Sequence, residues 1–294
     1  MVRIDKFNHF YRNPANNSKI MCYNKLKKSL RRSPLNNSDK YEELVALFDK
    51  QLEFAQNLQR KIIPSPGSFV SDDYHFYSYL RPFRKVGGDF FDFHFMDNGR
   101  INLIIADATG HGIDAAMITS MFKLSYSYTM KDEHINQFPS LVLKQIETDI
   151  CQLMDNTFFT GIALIFDPAD STLCFANAGH PAGILLRENH QVELLKPNLP
   201  MMGLCQFMPS MNYFDKRIRF SRGDKLFLFT DGLVDAQNPD EEEFSIERVI
   251  DVVTKYARLP INRIGEKIVD ACMTFKQALT LSDDICILGI EFEE

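Results

Sequence analysis

Four short acidic stretches hold most of the chemistry this sequence could perform. They are Gly87-Gly88-Asp89-Phe90-Phe91-Asp92, Ile104-Ile105-Ala106-Asp107-Ala108-Thr109-Gly110-His111-Gly112, Phe227-Leu228-Phe229-Thr230-Asp231-Gly232 and Ser282-Asp283-Asp284-Ile285. Each sets a carboxylate at the start or end of an apolar, strand-like run. A charge beside such a run costs desolvation free energy unless it is paired or bound to a cation, and no Lys or Arg interleaves with most of these stretches. Carboxylates brought together without positive partners repel, and a divalent cation resolves that conflict. A ligand set made only of oxygen suits Mg²⁺, Mn²⁺ or Ca²⁺ rather than thiolate-held zinc. Any one Asp-Gly pair reads equally well as a turn, and the neighbouring glycines fit either reading. Four such clusters in one chain are harder to assign to turns alone.

The elements that must position these residues follow from periodicity. From Tyr41 to Ile63, the residues Tyr41, Val45, Phe48, Leu52, Ala55 and Ile62 form a heptad-like apolar seam, with Gln59 as its one polar interruption. A second apolar line of Leu44, Leu47, Phe54 and Leu58 runs beside it. Pro64-Ser65-Pro66-Gly67 ends the helix. Strands are expected at Val70 to Leu80, Asp89 to Phe95, Ile101 to Ala106, Thr160 to Phe166, Thr172 to Ala178, Ala182 to Leu186, Val192 to Leu195, Phe214 to Phe220, Lys225 to Phe229 and Ile285 to Phe292. Helices are expected at Gly112 to Met130, Pro139 to Met154, Phe244 to Tyr256 and Ile261 to Leu279. Many strands without regular strand–helix alternation argue for an α+β layered fold. No GxGxxG or GxxxxGK[ST] occurs, which lowers nucleotide-binding readings.

Composition bounds the rest. The chain has 294 residues, 45% hydrophobic and 24% charged, with 25 Phe and no Trp, so aromatic packing falls to Phe. Its six cysteines show no CxxC spacing and read as free thiols in a reducing compartment. The polar N-terminus is no secretory signal, and no eighteen-residue apolar run is present, so no membrane span and a cytoplasmic location are expected. Residues 1–40 carry ten Lys/Arg against two Asp and read as a basic, flexible arm, or as one that touches a membrane surface, nucleic acid or an acidic partner. The remaining body is acidic, which argues against nucleic-acid binding.

The chain resembles the metal-dependent PPM phosphatases, in the bacterial branch typified by RsbU and SpoIIE. The likeness runs through VGGDFFDF (86–93), IADATGHGIDAAM (105–117), FFTGIALIFD (158–167), FANAGHPAGILL (175–186), LPMMGL (199–204), GDKLFLFTDGLVDAQN (223–238) and SDDICILGIE (282–291), in the family's order. It implies two packed antiparallel β-sheets flanked by helices, preceded by a linker helix. The implied organisation is an arm over 1–40, a linker or dimerisation helix over 41–66 and a phosphatase domain over 67–294. It implies Asp89, Asp107, Asp231 and Asp283 as catalytic metal ligands, Asp107 bridging two Mn²⁺ or Mg²⁺ ions, the Ala108 carbonyl as a further ligand, and Asp284 as a ligand or a neighbour of one. Asp235 stands where relatives often have Glu, and Ser245 where many have Gly.

By the same resemblance the activity would be hydrolysis of a phosphoserine or phosphothreonine on a regulatory protein, an anti-sigma-factor antagonist of STAS type. A non-catalytic binding module on the same fold and a metallo-hydrolase for small phosphoesters or nucleotides are the competing readings. Arg81, Arg84 and Lys85 either grip phosphate or are solvated charges. His111 and His180 either donate a proton or brace turns. Asn177 belongs to a motif of unassigned chemistry, and Thr160 and Thr230 read as wall residues. The apolar seam allows a homodimer through Tyr41–Ile63.

Overall fold

The computed structural model describes residues 37–293 apart from 72, 111, 154–156, 205–206 and 208–211, and of residues 37–41, 43 and 44 only the backbone. In chain order the elements are α1 (Asn37–Ile62), β1 (Gly67–Ser71), β2 (Tyr74–Arg81), β3 (Asp89–Phe95), β4 (Ile101–Ala108), α2 (Ile113–Thr129), α3 (Pro139–Cys151), β5 (Phe159–Asp167), β6 (Thr172–Ala178), β7 (Gly183–Leu186), β8 (Val192–Leu195), β9 (Lys216–Arg219), β10 (Lys225–Phe229), α4 (Asp231–Val234), α5 (Ser245–Lys255), α6 (Ile261–Lys276) and β11 (Ile285–Phe292). Residues 1–36 of the arm expected over 1–40, the cysteines Cys22 and Cys205, and His111 lie outside the described residues, and residues 37–40 belong to α1. Cys174, Cys272 and Cys286 are free thiols.

Two antiparallel sheets result. One has strand order β1-β2-β11-β10-β7-β8, the other β3-β4-β5-β6-β9. The side-chain period of two decides what each strand buries. On β10, Leu226 and Leu228 join the core shared by the sheets, while Phe227 and Phe229 face α5 and α6. On β3, Phe93 meets Phe69 and Phe76 of the opposite sheet, and Phe90 stacks on Phe122 of α2. The layers are therefore helix, sheet, sheet, helix. The expected aromatic packing by Phe is seen in Phe166, Phe220 and Phe292, clustered with Tyr74.

Differences from the expected elements have local causes. The single strand read over Val70 to Leu80 is a hairpin, because β1 pairs antiparallel with β2 from Gly67↔Ser78 to Ser71↔Tyr74. The helix expected to reach Leu279 stops at Lys276, where Gln277 takes φ 56°. The strand read over Phe214 to Phe220 shortens to β9. The one-turn α4 was not expected.

By its contacts the chain divides between Gln51 and Leu52, inside α1. In the part after Leu52, the seam turns inward: Gln59 is 7% exposed and Ile62 packs on the core, while Phe54 and Leu58 of the second line stay exposed at 74% and 50%. Before Leu52, Val45, Leu47 and Phe48 are exposed. Among the described residues, no helix is long and apolar enough to cross a membrane.

Candidate active site

Strand pleating aims the aspartates. Asp89 shares a face with Phe91 and Phe93, which point between the sheets, and the register sets Asp89 directly opposite Asp107. Both carboxylates therefore point into the end of the gap between the sheets. From the other sheet, Thr230 follows β10 and Asp284 precedes β11, each in phase with the inward-facing residues Leu228 and Cys286. The Thr230 hydroxyl donates to Asp89 Oδ2 at 2.8 Å and accepts from Cys286 N at 2.9 Å, joining the two sheets at this point. Asp231 begins α4, and Asp283 accepts from the Asp284 amide at 2.8 Å.

The charges feel one another. Burial, then the charges of Asp107 and Asp284, push Asp89 well above the usual carboxylate range, while the Thr230 hydroxyl pulls it back. Burial, then Asp231, Asp283 and Asp284, push Asp107 up to about 8. Asp231 is raised by burial, then by Asp283 and Asp235. Asp284 is raised by burial and held down by the amides of Phe83 and Gly88, which donate to its Oδ1 and Oδ2 at 2.6 Å each. Among the described residues no Lys or Arg forms an ion pair with any of these five aspartates, in contrast to Asp92, which Lys123 neutralises.

The chain packs backbone tightly around this pocket. A Cβ on Gly88 would sit 2.7 Å from the Ala108 carbonyl oxygen and 3.4 Å from Asp107 Oδ1; one on Gly232 would sit 1.8 Å from the Asp284 carbonyl oxygen. Glycine is required at both by close approach. The donor set of several carboxylates and a main-chain carbonyl fits a hard divalent cation. Among the described residues no three acidic, His or Cys side chains are gathered closely enough to enclose an ion without adjustment. Unneutralised carboxylates repel, so a spread arrangement is what their charges alone dictate.

The remaining sequence candidates separate. His180 is fully buried; its Nδ1 is 2.8 Å from Thr160 Oγ1, its amide donates to Asn177 Oδ1 at 2.9 Å, and burial lowers its pKa to about 3. It is a neutral brace, and the Thr160 it holds lies opposite Asp107 in the register. Asn177 ties the same turn to the Leu195 carbonyl at 3.0 Å and has no place at the carboxylates. Arg81 reaches the Met273 sulfur, Arg84 lies over Phe83, and Lys85 is 3.8 Å from Glu53 of α1. Ser245 sits at φ 64°, the left-handed conformation that favours glycine, at the start of α5. Asp235 follows α4 and adds its charge to that of Asp231.

One contributor was visible in the sequence only as an anomaly. Gln59, the polar residue in the apolar seam, donates from Nε2 to the Gly87 carbonyl at 2.7 Å and to Thr119 Oγ1 at 3.1 Å, and its Oε1 accepts from Gly87 N at 3.3 Å. It fixes the loop that carries Gly88 and Asp89.

Comparison with known proteins gives the family and the fold. The profile of the family described as stage II sporulation protein E (SpoIIE) matches residues 97–293. The phosphoserine phosphatase RsbP of Bacillus subtilis is 25% identical over 249 residues, covering 82% of this chain and 58% of its own length. The phosphoserine phosphatase RsbU of the same organism is 29% identical over 160 residues, covering 53% of this chain and 45% of its own. The chain thus spans about half the length of these two relatives. Among solved structures, the SiaA-PP2C domain of Pseudomonas aeruginosa superposes with a TM-score of 0.74 at 20% identity, covering 85% of this chain and 99% of that one. The phosphatase domain of SpoIIE from Bacillus subtilis, solved with a fragment of its regulatory domain, gives 0.60 at 17% identity, covering 77% and 64%. These structural likenesses establish the shared fold.

Proposed function

The chain belongs to the stage II sporulation protein E (SpoIIE) family, and from that premise we propose that it is a metal-dependent phosphatase for phosphoserine or phosphothreonine in a regulatory protein. The observation that carries this reading is the convergence of Asp89, Asp107, Asp231, Asp283 and Asp284 at one end of the sandwich with no basic partner among the described residues. RsbP and RsbU, both named phosphoserine phosphatases, support the substrate class. An anti-sigma-factor antagonist of STAS type is the regulatory protein we favour, by the family resemblance.

Asp89, Asp107, Asp231, Asp283 and the Ala108 carbonyl would hold two Mn²⁺ or Mg²⁺ ions, with Asp107 between the others. When bound, such ions neutralise the phosphate ester and acidify water enough for attack at neutral pH. The chain's own groups orient this centre. Thr230 fixes one oxygen of Asp89. Asp284, both of whose oxygens already accept backbone amides, holds the 83–88 loop against β11 and acts here as a positioning residue. Neutral His180 holds Thr160 and is not a cationic acid for the leaving group. We also propose that exposed apolar residues of α1 pair two copies of the chain.

Mn²⁺- or Mg²⁺-dependent phosphate release from a phosphoserine protein tests the reading. Asp231→Asn is expected to lower kcat by about 100-fold or more with an unchanged circular dichroism spectrum. Full activity in that variant would remove the metal assignment.

A further inference from the structure

A groove of about 460 Å³ opens directly beside the candidate centre, and Asp231 belongs to both. Its apolar wall comes from Pro181, Pro197, Val234 and Ile246. Its rim is acidic, with Asp235, Glu243 and Glu247, and no Lys or Arg is among the described residues that line it. The nearest cation in sequence, Arg248, donates to the Glu243 and Phe244 carbonyls, pairs with Glu242 and lies 4.6 Å over the Phe275 ring, and its charge acts on Glu247 after the Ser245 hydroxyl. The acids are held in place. Glu247 accepts from the Ser245 hydroxyl at 2.6 Å. Glu243 pairs with Gln237 in a turn whose Asn238 Oδ1 accepts the amides of Asp240 and Glu242. Glu243 also lies close enough to Asp235 for its charge to raise that carboxyl, after burial. His180 lies on the floor, and its buried Nε2 sits beside the Phe229 backbone without a hydrogen bond of good geometry.

We propose that this groove docks the stretch of the phosphoprotein next to its phosphorylated residue, and that it selects a stretch carrying Lys or Arg. The proposal rests on the phosphatase reading above and names the substrate feature that this site prefers. A dianionic phosphate ester entering past Asp235, Glu243 and Glu247 is repelled unless cations flank it, and electrostatic complementarity discriminates partners by such terms. An extended chain advances about 3.3–3.6 Å per residue, so residues in a groove that shares Asp231 with the centre are immediate neighbours of the reacting phosphate. The apolar wall suits the methylene stems of Lys and Arg, with their charged heads at the rim.

The test uses the full chain and three synthetic phosphoserine peptides whose flanks carry Arg, Ala or Glu, with p-nitrophenyl phosphate as a substrate that has no flank. The Arg peptide is expected to show a KM about five- to tenfold below the Ala peptide, the size of one or two partly exposed ion pairs, and the advantage should shrink between 50 mM and 500 mM salt by screening on the order of the Debye length. In Glu243→Gln combined with Glu247→Gln the preference should disappear while kcat for p-nitrophenyl phosphate is unchanged, relief of repulsion showing only as a lower KM for that dianion. Fluorescence anisotropy of the same peptides without phosphate reads docking with no need of turnover. Equal binding and equal KM for Arg and Ala peptides, or an undiminished preference in the double variant, would overturn the groove. Selective binding of the Arg peptide without hydrolysis of any substrate would uphold the groove and overturn the phosphatase reading instead.

Discussion

Replacing Gln59 by Ala tests whether the helix that precedes the sandwich holds the candidate centre in shape. The side chain makes three hydrogen bonds, to the Gly87 carbonyl, the Gly87 amide and Thr119. After truncation the Gly87 carbonyl keeps Thr119 Oγ1 at 3.2 Å, but the Gly87 amide has lost the acceptor it had in Gln59. A neutral hydrogen bond contributes about 0.5–1.5 kcal/mol net, and a buried unmade donor costs about 1–3 kcal/mol. The expected destabilisation is therefore about 2–3 kcal/mol by urea unfolding. Half of that, expressed as looseness of the loop that donates from Gly88 to Asp284, corresponds to about tenfold in kcat. Thr119→Val shares the Gly87 carbonyl, so the double variant should be non-additive by about 0.5–3 kcal/mol. Asn57→Ala, on the exposed side of the same helix, serves as control and should stay within about 0.5 kcal/mol. Wild-type stability and wild-type kcat in Gln59→Ala would refute the idea that this side chain positions the loop.

Gly88→Ala places a methyl 2.7 Å from the Ala108 carbonyl oxygen and against Asp107; the protein should remain folded, with about 1–3 kcal/mol lost to overpacking, while calorimetry shows weakened Mn²⁺ binding. Unchanged metal affinity would mean that neither atom is a ligand. For the pairing of α1, Phe54→Glu with Leu58→Glu changes two exposed side chains and should halve the sedimenting mass; a wild-type mass from both would exclude that surface from the interface.

The sequence alone determined a good deal, and for a stated reason. Pleating has a period of two and helices one of 3.6, so the apolar pattern named most strands and helices, and the carboxylates at strand ends were visible as charges without neutralising neighbours. The layered fold and the grouping of Asp89, Asp107, Asp231 and Asp283 were legible through an ordered set of motifs. Tertiary structure decided what depends on contacts between distant segments. Gln59 read as a flaw in an apolar seam, and only packing against Gly87 and Thr119 gives it a role. Thr230 read as a wall residue, and only the meeting of β10 with β3 makes it a donor to Asp89. The inward turn of Leu52, Ala55 and Ile62 and the outward turn of Phe54 and Leu58 share one periodicity, so sequence could not say which line faces the chain's own core. His180 and Asn177 sit in a motif that spacing leaves open; burial and hydrogen bonding make them turn braces, because a fully desolvated imidazole stays neutral.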